Sequence, residues 1–69
     1  MAVEKSIDLT ATGATLDEAI GAAIHRASLT LKGLTSFQVE KIEGTITDGE
    51  AEYKVLVRIW FVIKEKMHE

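Results

Sequence analysis

The chain has no cysteine and no proline, few aromatic residues and no excess of basic ones. Each lack closes a route. Without cysteine there are no disulfides and no thiolate metal sites, a composition compatible with a reducing compartment. The two histidines, His25 and His68, are too few and too far apart for a zinc site by spacing. Lysine and arginine number 8 against 11 aspartate and glutamate, a net charge of -3 with no basic stripe to neutralise phosphates, so a nucleic-acid partner is not expected. No stretch approaches the ~18 apolar residues of a membrane-spanning helix. The opening Met1 to Lys5 also lacks the apolar run of a signal peptide. The expectation is a cytoplasmic protein with no membrane partner.

What is present is apolar. At 69 residues and 46% hydrophobic composition the chain has enough to bury that disorder is not expected, and residues 1–69 read as a single domain. Domains this small bury only about 60% of their unfolded surface. They are usually reinforced by disulfides, a metal or oligomerisation. With the first two closed, oligomerisation remains.

The last strand points the same way. From Tyr53 to Lys64 the residues alternate with period 2. Tyr53, Val55, Val57, Ile59, Phe61 and Ile63 form one side, an ordinary core face. Lys54, Leu56, Arg58, Trp60, Val62 and Lys64 form the other. Leu56, Trp60 and Val62 on that second side would meet water in a lone monomer, because the rest of the chain offers one helix as cover.

That helix is predicted from Leu16 to Lys32. Thr15 and Glu18 match a capping box, and Asp17 and Glu18 complement the positive helix end. Leu16, Ala19, Ile20, Ala23, Ile24, Ala27 and Leu31 make one apolar stripe, and Gly33 is a candidate C-terminal cap. Val3 to Thr10 alternates as a first strand, and Thr10 to Ala14 reads as a connection. A second strand begins near Ser36. Phe37 and Val39 share one parity while Ile42 and Ile46 have the other, so a bulge or bend is expected between Glu40 and Glu43. Asp48-Gly49 signals a hairpin into the final strand. The tail from Lys64 to Glu69 reads as frayed. The predicted fold is α+β, in the order β-α-β-β. Three strands form an antiparallel sheet, the first pairing along the third, with one helix packed on one face.

With these elements in order, the chain resembles the dodecins. The resemblance rests on the helix segment Ala23 to Ala27 running into Thr30 and Leu31, and on Phe37-Gln38-Val39. It continues through Glu43-Gly44-Thr45-Ile46, Glu52-Tyr53-Lys54-Val55 and Trp60-Phe61, and covers nearly the whole chain. It implies a hollow homododecamer with helices outward and sheet faces inward. Such shells bind and store flavin (FMN or riboflavin) rather than use it in catalysis, and some are associated with coenzyme A or cations. An enzyme is not expected, since no nucleophile or acid-base dyad is visible. The alternative is a flavin-free or cation-binding assembly with a structural or buffering role, for which the carboxylates around the hairpin are the candidates.

The resemblance also locates a departure. Flavin-binding dodecins carry tryptophan where this chain has Ser36, and glutamine where it has Lys54. Serine offers no π surface, and lysine donates hydrogen bonds but accepts none. Weak native flavin affinity is expected, to be raised by Ser36→Trp with Lys54→Gln. By parity and resemblance, Ser36, Gln38, Thr45, Lys54 and Leu56 are the candidate ligand-binding residues, with Arg58 beside them and Glu43 next to Thr45. Trp60 and Val62 are candidate interface anchors, the alternative for Trp60 being to stack a ligand displaced from the family's usual position. Arg26 is a candidate for a salt bridge between subunits, and His25 beside it reads as a solvated helix position.

Overall fold

The local signals set the elements. In the computed structural model, which describes residues 2–64, β1 (Ala2–Gly13) is followed by α1 (Leu16–Thr30), β2 (Leu34–Thr47) and β3 (Glu50–Lys64). The sheet order is β1-β3-β2, with both neighbours antiparallel to the long β3. Among the described residues this is the β-α-β-β architecture expected. Of the tail expected to fray from Lys64 to Glu69, Lys64 is the last residue of β3, paired with Ala2, and the rest lies outside the described residues.

Thr15 caps α1 in an extended conformation, its Oγ1 accepting the amide of Glu18 at 3.1 Å. The returning half of the box differs from expectation, since the Glu18 carboxylate accepts the amide of Ala14, one residue earlier, also at 3.1 Å. Both contacts occupy amides at the helix start that would otherwise lack partners. Ala19, Ala23 and Ala27, spaced by one turn, are the fully buried residues of the helix. Their small side chains let α1 settle onto Val55, Val57 and Ile59, which are also fully buried and form one cluster with them. Each of these three β3 side chains contributes about 1.5–3 kcal/mol by leaving water.

The helix ends at Thr30, short of the expected Lys32. Leu31 closes it by donating a hydrogen bond from its backbone N–H to Ala27 O while already turning extended (φ -119, ψ 147). Gly33 is therefore not the cap. Its positive φ of 75 belongs to the link into β2, where its carbonyl accepts the Val62 amide at 3.0 Å. A Cβ there would stand 2.8 Å from Val62 O.

Strand β1 runs three residues beyond Thr10, and Ala11, Thr12 and Gly13 pair with Val55, Lys54 and Tyr53. The small residues read as a connection are ladder because β3 is long enough to offer partners there. The expected bulge falls at Glu40, the extra residue between the pairs Val39–Val57 and Lys41–Leu56. It brings Phe37, Val39, Ile42 and Ile46 onto one face despite their mixed parity. A second irregularity at Thr35 brings Leu34 and Phe37, three residues apart, onto the same face. Asp48 and Gly49 both take positive φ (53 and 79), the two-residue turn that matches strand twist.

Helix α1 lies over β1 and β3. The predicted core face is buried at Val55, Val57, Ile59 and Phe61, whereas Phe37, Ile42 and Ile46 of β2 stay exposed on the helix side, Ile46 by 79%. The sheet is thus uncovered over β2 on one face and along its whole length on the other.

Candidate functional site

The helix-free face is a grid whose rows follow from the register. Across β1, β3 and β2 the rows read Ser6–Trp60–Ser36, Asp8–Arg58–Gln38, Thr10–Leu56–Lys41 and Thr12–Lys54–Glu43, with Thr45 opposite Glu52 beyond. Ser36, Gln38, Lys54, Leu56, Arg58 and Trp60 therefore share one face as their parity predicted. Thr45 joins them because the bulge at Glu40 corrects the phase.

Sharing a face is not sharing a site. Ser36 sits level with Trp60, six residues along β3 from Lys54. At about 3.3 Å per residue this is roughly 20 Å. Lys54, Leu56 and Thr45 gather at the hairpin half, and Ser36 and Gln38 lie at the other. A cavity of about 320 Å³ at the hairpin half is lined by Thr12, Glu43, Gly44, Thr45, Glu52, Tyr53 and Lys54. Beside it a second, of about 200 Å³, is lined by Thr10, Lys41, Glu43, Lys54, Val55 and Leu56. Glu43 and Lys54 line both.

Charge on this face is largely paired. Arg58 donates from Nε to Asp8 Oδ1 at 2.9 Å and from Nη2 to Oδ2 at 3.2 Å, a two-pronged bond, and Glu40 Oε2 lies 4.0 Å from Nη1. The hydrogen bonds from Arg58 hold the Asp8 carboxyl below its ordinary value of 3.8, with partial desolvation opposing. The Arg58 guanidinium is raised in turn, first by the bond to Asp8, then by the charges of Asp8 and Glu40. Lys41 meets Glu43 at 3.8 Å with both side chains exposed, a pair worth about 1 kcal/mol or less. Arg58 is thus committed within its own protomer rather than free for a ligand.

Trp60 and Val62 are half-buried on the same face, next to each other's rows. Arg26 is exposed on the outer helix surface, away from the sheet, as is His25. Asp8 and Thr12 are the residues the sequence reading missed. Asp8 carries the parity of a helix-free residue, but only the register shows that it faces Arg58. Thr12 was hidden by its assignment to a connection. Among the described residues, no three His, Asp or Glu side chains converge to hold a metal ion. No helix there is long and apolar enough to cross a membrane.

Known proteins share this fold. Residues 3–64 match the Dodecin family. A dodecin of Thermus thermophilus is 40% identical over 65 residues, covering 91% of this chain and 94% of the relative. The chain belongs to the dodecin family. The crystal structure of a variant of the Thermus thermophilus dodecin superposes with a TM-score of 0.88 at 37% identity, over 94% of this chain and 100% of that one. The calcium dodecin of Mycobacterium tuberculosis, described as calcium chelating with a novel calcium-binding site, shares the fold with a TM-score of 0.71. It is 19% identical, over 97% of this chain and 96% of that one.

Proposed function

We propose that residues 1–69 form one dodecin-like domain that assembles as a hollow homododecamer in the cytoplasm and sequesters a small planar molecule without transforming it. The ligand class is flavin, riboflavin or FMN, taken from the family. One observation carries the reading. Ser36 and Lys54 share one face yet stand roughly 20 Å apart in a protomer, too far to grip one small molecule together. Copies meeting through that face would bring Ser36 and Gln38 of one protomer toward Lys54, Leu56 and Thr45 of another. Leu56, Trp60 and Val62 supply the apolar surface for such a contact, and Arg26 on the outer helix is available to carboxylates of a neighbouring copy. The pairing fits this use, because Asp8 neutralises Arg58 before the face is covered and spares an unpaired buried guanidinium.

Ser36 and Lys54 in place of tryptophan and glutamine make the expected affinity weaker than a tryptophan pair and an amide would give. Titration of riboflavin with the assembled protein tests the reading. Saturable quenching of flavin fluorescence supports it, and unquenched fluorescence at high protein concentration contradicts it.

The second reading is a cation-binding or flavin-free shell. Glu43 and Glu52 both line the 320 Å³ cavity, so symmetry-related copies could gather their carboxylates around a calcium ion. Calcium binding by unmodified protein, lost in Glu43→Gln with Glu52→Gln, would favour it.

A further inference from the structure

The one indole of the chain stands in an unusual row. Trp60 is half-buried on the helix-free face of β3, and its register partners on both sides are serines, Ser6 on β1 and Ser36 on β2. Side chains stand roughly perpendicular to a sheet, so the indole is a tall group between two short ones. The serines leave a gap on each flank that is open on its outer side, since β1 and β2 are the edge strands, with its floor about one strand spacing, near 4.8 Å, from β3. Stacked aromatic rings have centroids about 4.5–7 Å apart, so each gap suits one ring laid against the indole. The serine hydroxyls lie at the floor of the gaps. Gln38, one pleat repeat along β2 from Ser36, offers an amide that both donates and accepts at a ligand's polar edge.

We propose that Trp60 is the stacking surface of the ligand site, taking a planar heterocycle with an amide- or imide-type edge against its indole over Ser36, with Gln38 reading that edge. The register makes this specific. Ser36 and Trp60 are direct partners, so the aromatic group of this face stands on β3 rather than on β2, displaced by one strand but in the same row. The contact between copies and the ligand site then coincide at Trp60. The inference rests on the reading of this face as a ligand site.

Riboflavin is the probe, its binding followed by fluorescence quenching and by the long-wavelength absorption shoulder that a flavin stacked on indole produces. Trp60→Ser should weaken binding about tenfold, within the range found for base stacking on aromatic side chains. Trp60→Phe keeps an apolar ring and the assembly, and should lose the shoulder with a smaller loss of affinity. The exchanged variant, Ser36→Trp with Trp60→Ser, returns an indole to the same row and should regain both affinity and shoulder. Light scattering on each variant separates lost assembly from lost stacking. Equal binding by wild type, Trp60→Phe and Trp60→Ser overturns the assignment of Trp60 while leaving the ligand reading intact. Absence of riboflavin binding by wild type overturns both.

Discussion

Arg58 and Asp8 face each other across β3 and β1 and are joined by two hydrogen bonds of 2.9 and 3.2 Å. The bulge at Glu40 brings a second carboxylate to within 4.0 Å of the same guanidinium from the other edge. Asp8, Arg58 and Glu40 together link the two outer strands to the middle one on the face without a helix.

That pair makes stability depend on pH in one direction. Asp8 titrates below its ordinary 3.8 because Arg58 hydrogen-bonds its ionised form. A carboxyl depressed on folding contributes stability that is fully present above its unfolded value and is lost as pH falls through the folded one. Thermal unfolding of wild type should show an added loss of stability below pH 3.8 relative to Asp8→Asn, which lacks the titrating group. Parallel curves for the two proteins would contradict the assignment.

Two glycines with similar dihedrals should respond unequally to alanine. Gly33 and Gly49 have φ of 75 and 79, which costs an L-residue about 1–2 kcal/mol. A Cβ at Gly49 meets open space, whereas one at Gly33 meets the Val62 carbonyl at 2.8 Å. Gly49→Ala should cost about 1 kcal/mol. Gly33→Ala should cost distinctly more, because the link between α1 and β2 must shift away from β3. Denaturant midpoints of the two variants check the ranking.

Restoring the aromatic and amide contacts of the family now carries a condition. Ser36→Trp places an indole directly opposite Trp60, with Cβ atoms about 4.5–5.5 Å apart, so the two rings compete for one row. Ser36→Trp with Lys54→Gln should therefore raise riboflavin affinity by at least tenfold, about 1.4 kcal/mol, once Trp60 is also reduced to serine. With Trp60 retained the gain should be smaller. Fluorescence titration of the double and triple variants distinguishes the cases.

The strands, the helix start and the hairpin turn were legible because each has a local cause, and the pairing of β1 with β3 because the long last strand has backbone to spare beyond β2. Alternation marked β3, Thr15 and Glu18 marked the helix start, and Asp48-Gly49 marked the turn. The phase change between Val39 and Ile42 announced the bulge. Its counterpart at Thr35 leaves the same kind of signal, Leu34 and Phe37 facing the helix side three residues apart, but Leu34 lay outside a strand read as beginning near Ser36. The end of β1 was hidden for a different reason: Ala11, Thr12 and Gly13 have weak strand preference and are held by the length of β3. Site residues were legible as a parity class and no further. That Ser36 opposes Trp60, that Asp8 meets Arg58, and that Ser36 stands far from Lys54 are facts of register, set by long-range pairing.

In the proposed assembly copies of the chain cover one another's helix-free face, and mass in solution tests this most directly. Light scattering on micromolar protein should give about 91 kDa, twelve copies of 7.6 kDa. Trp60→Glu, which would bury an unpaired charge in the contact, should reduce that mass sharply. A stable wild-type species of 7.6 kDa, or a dimer, would contradict the account.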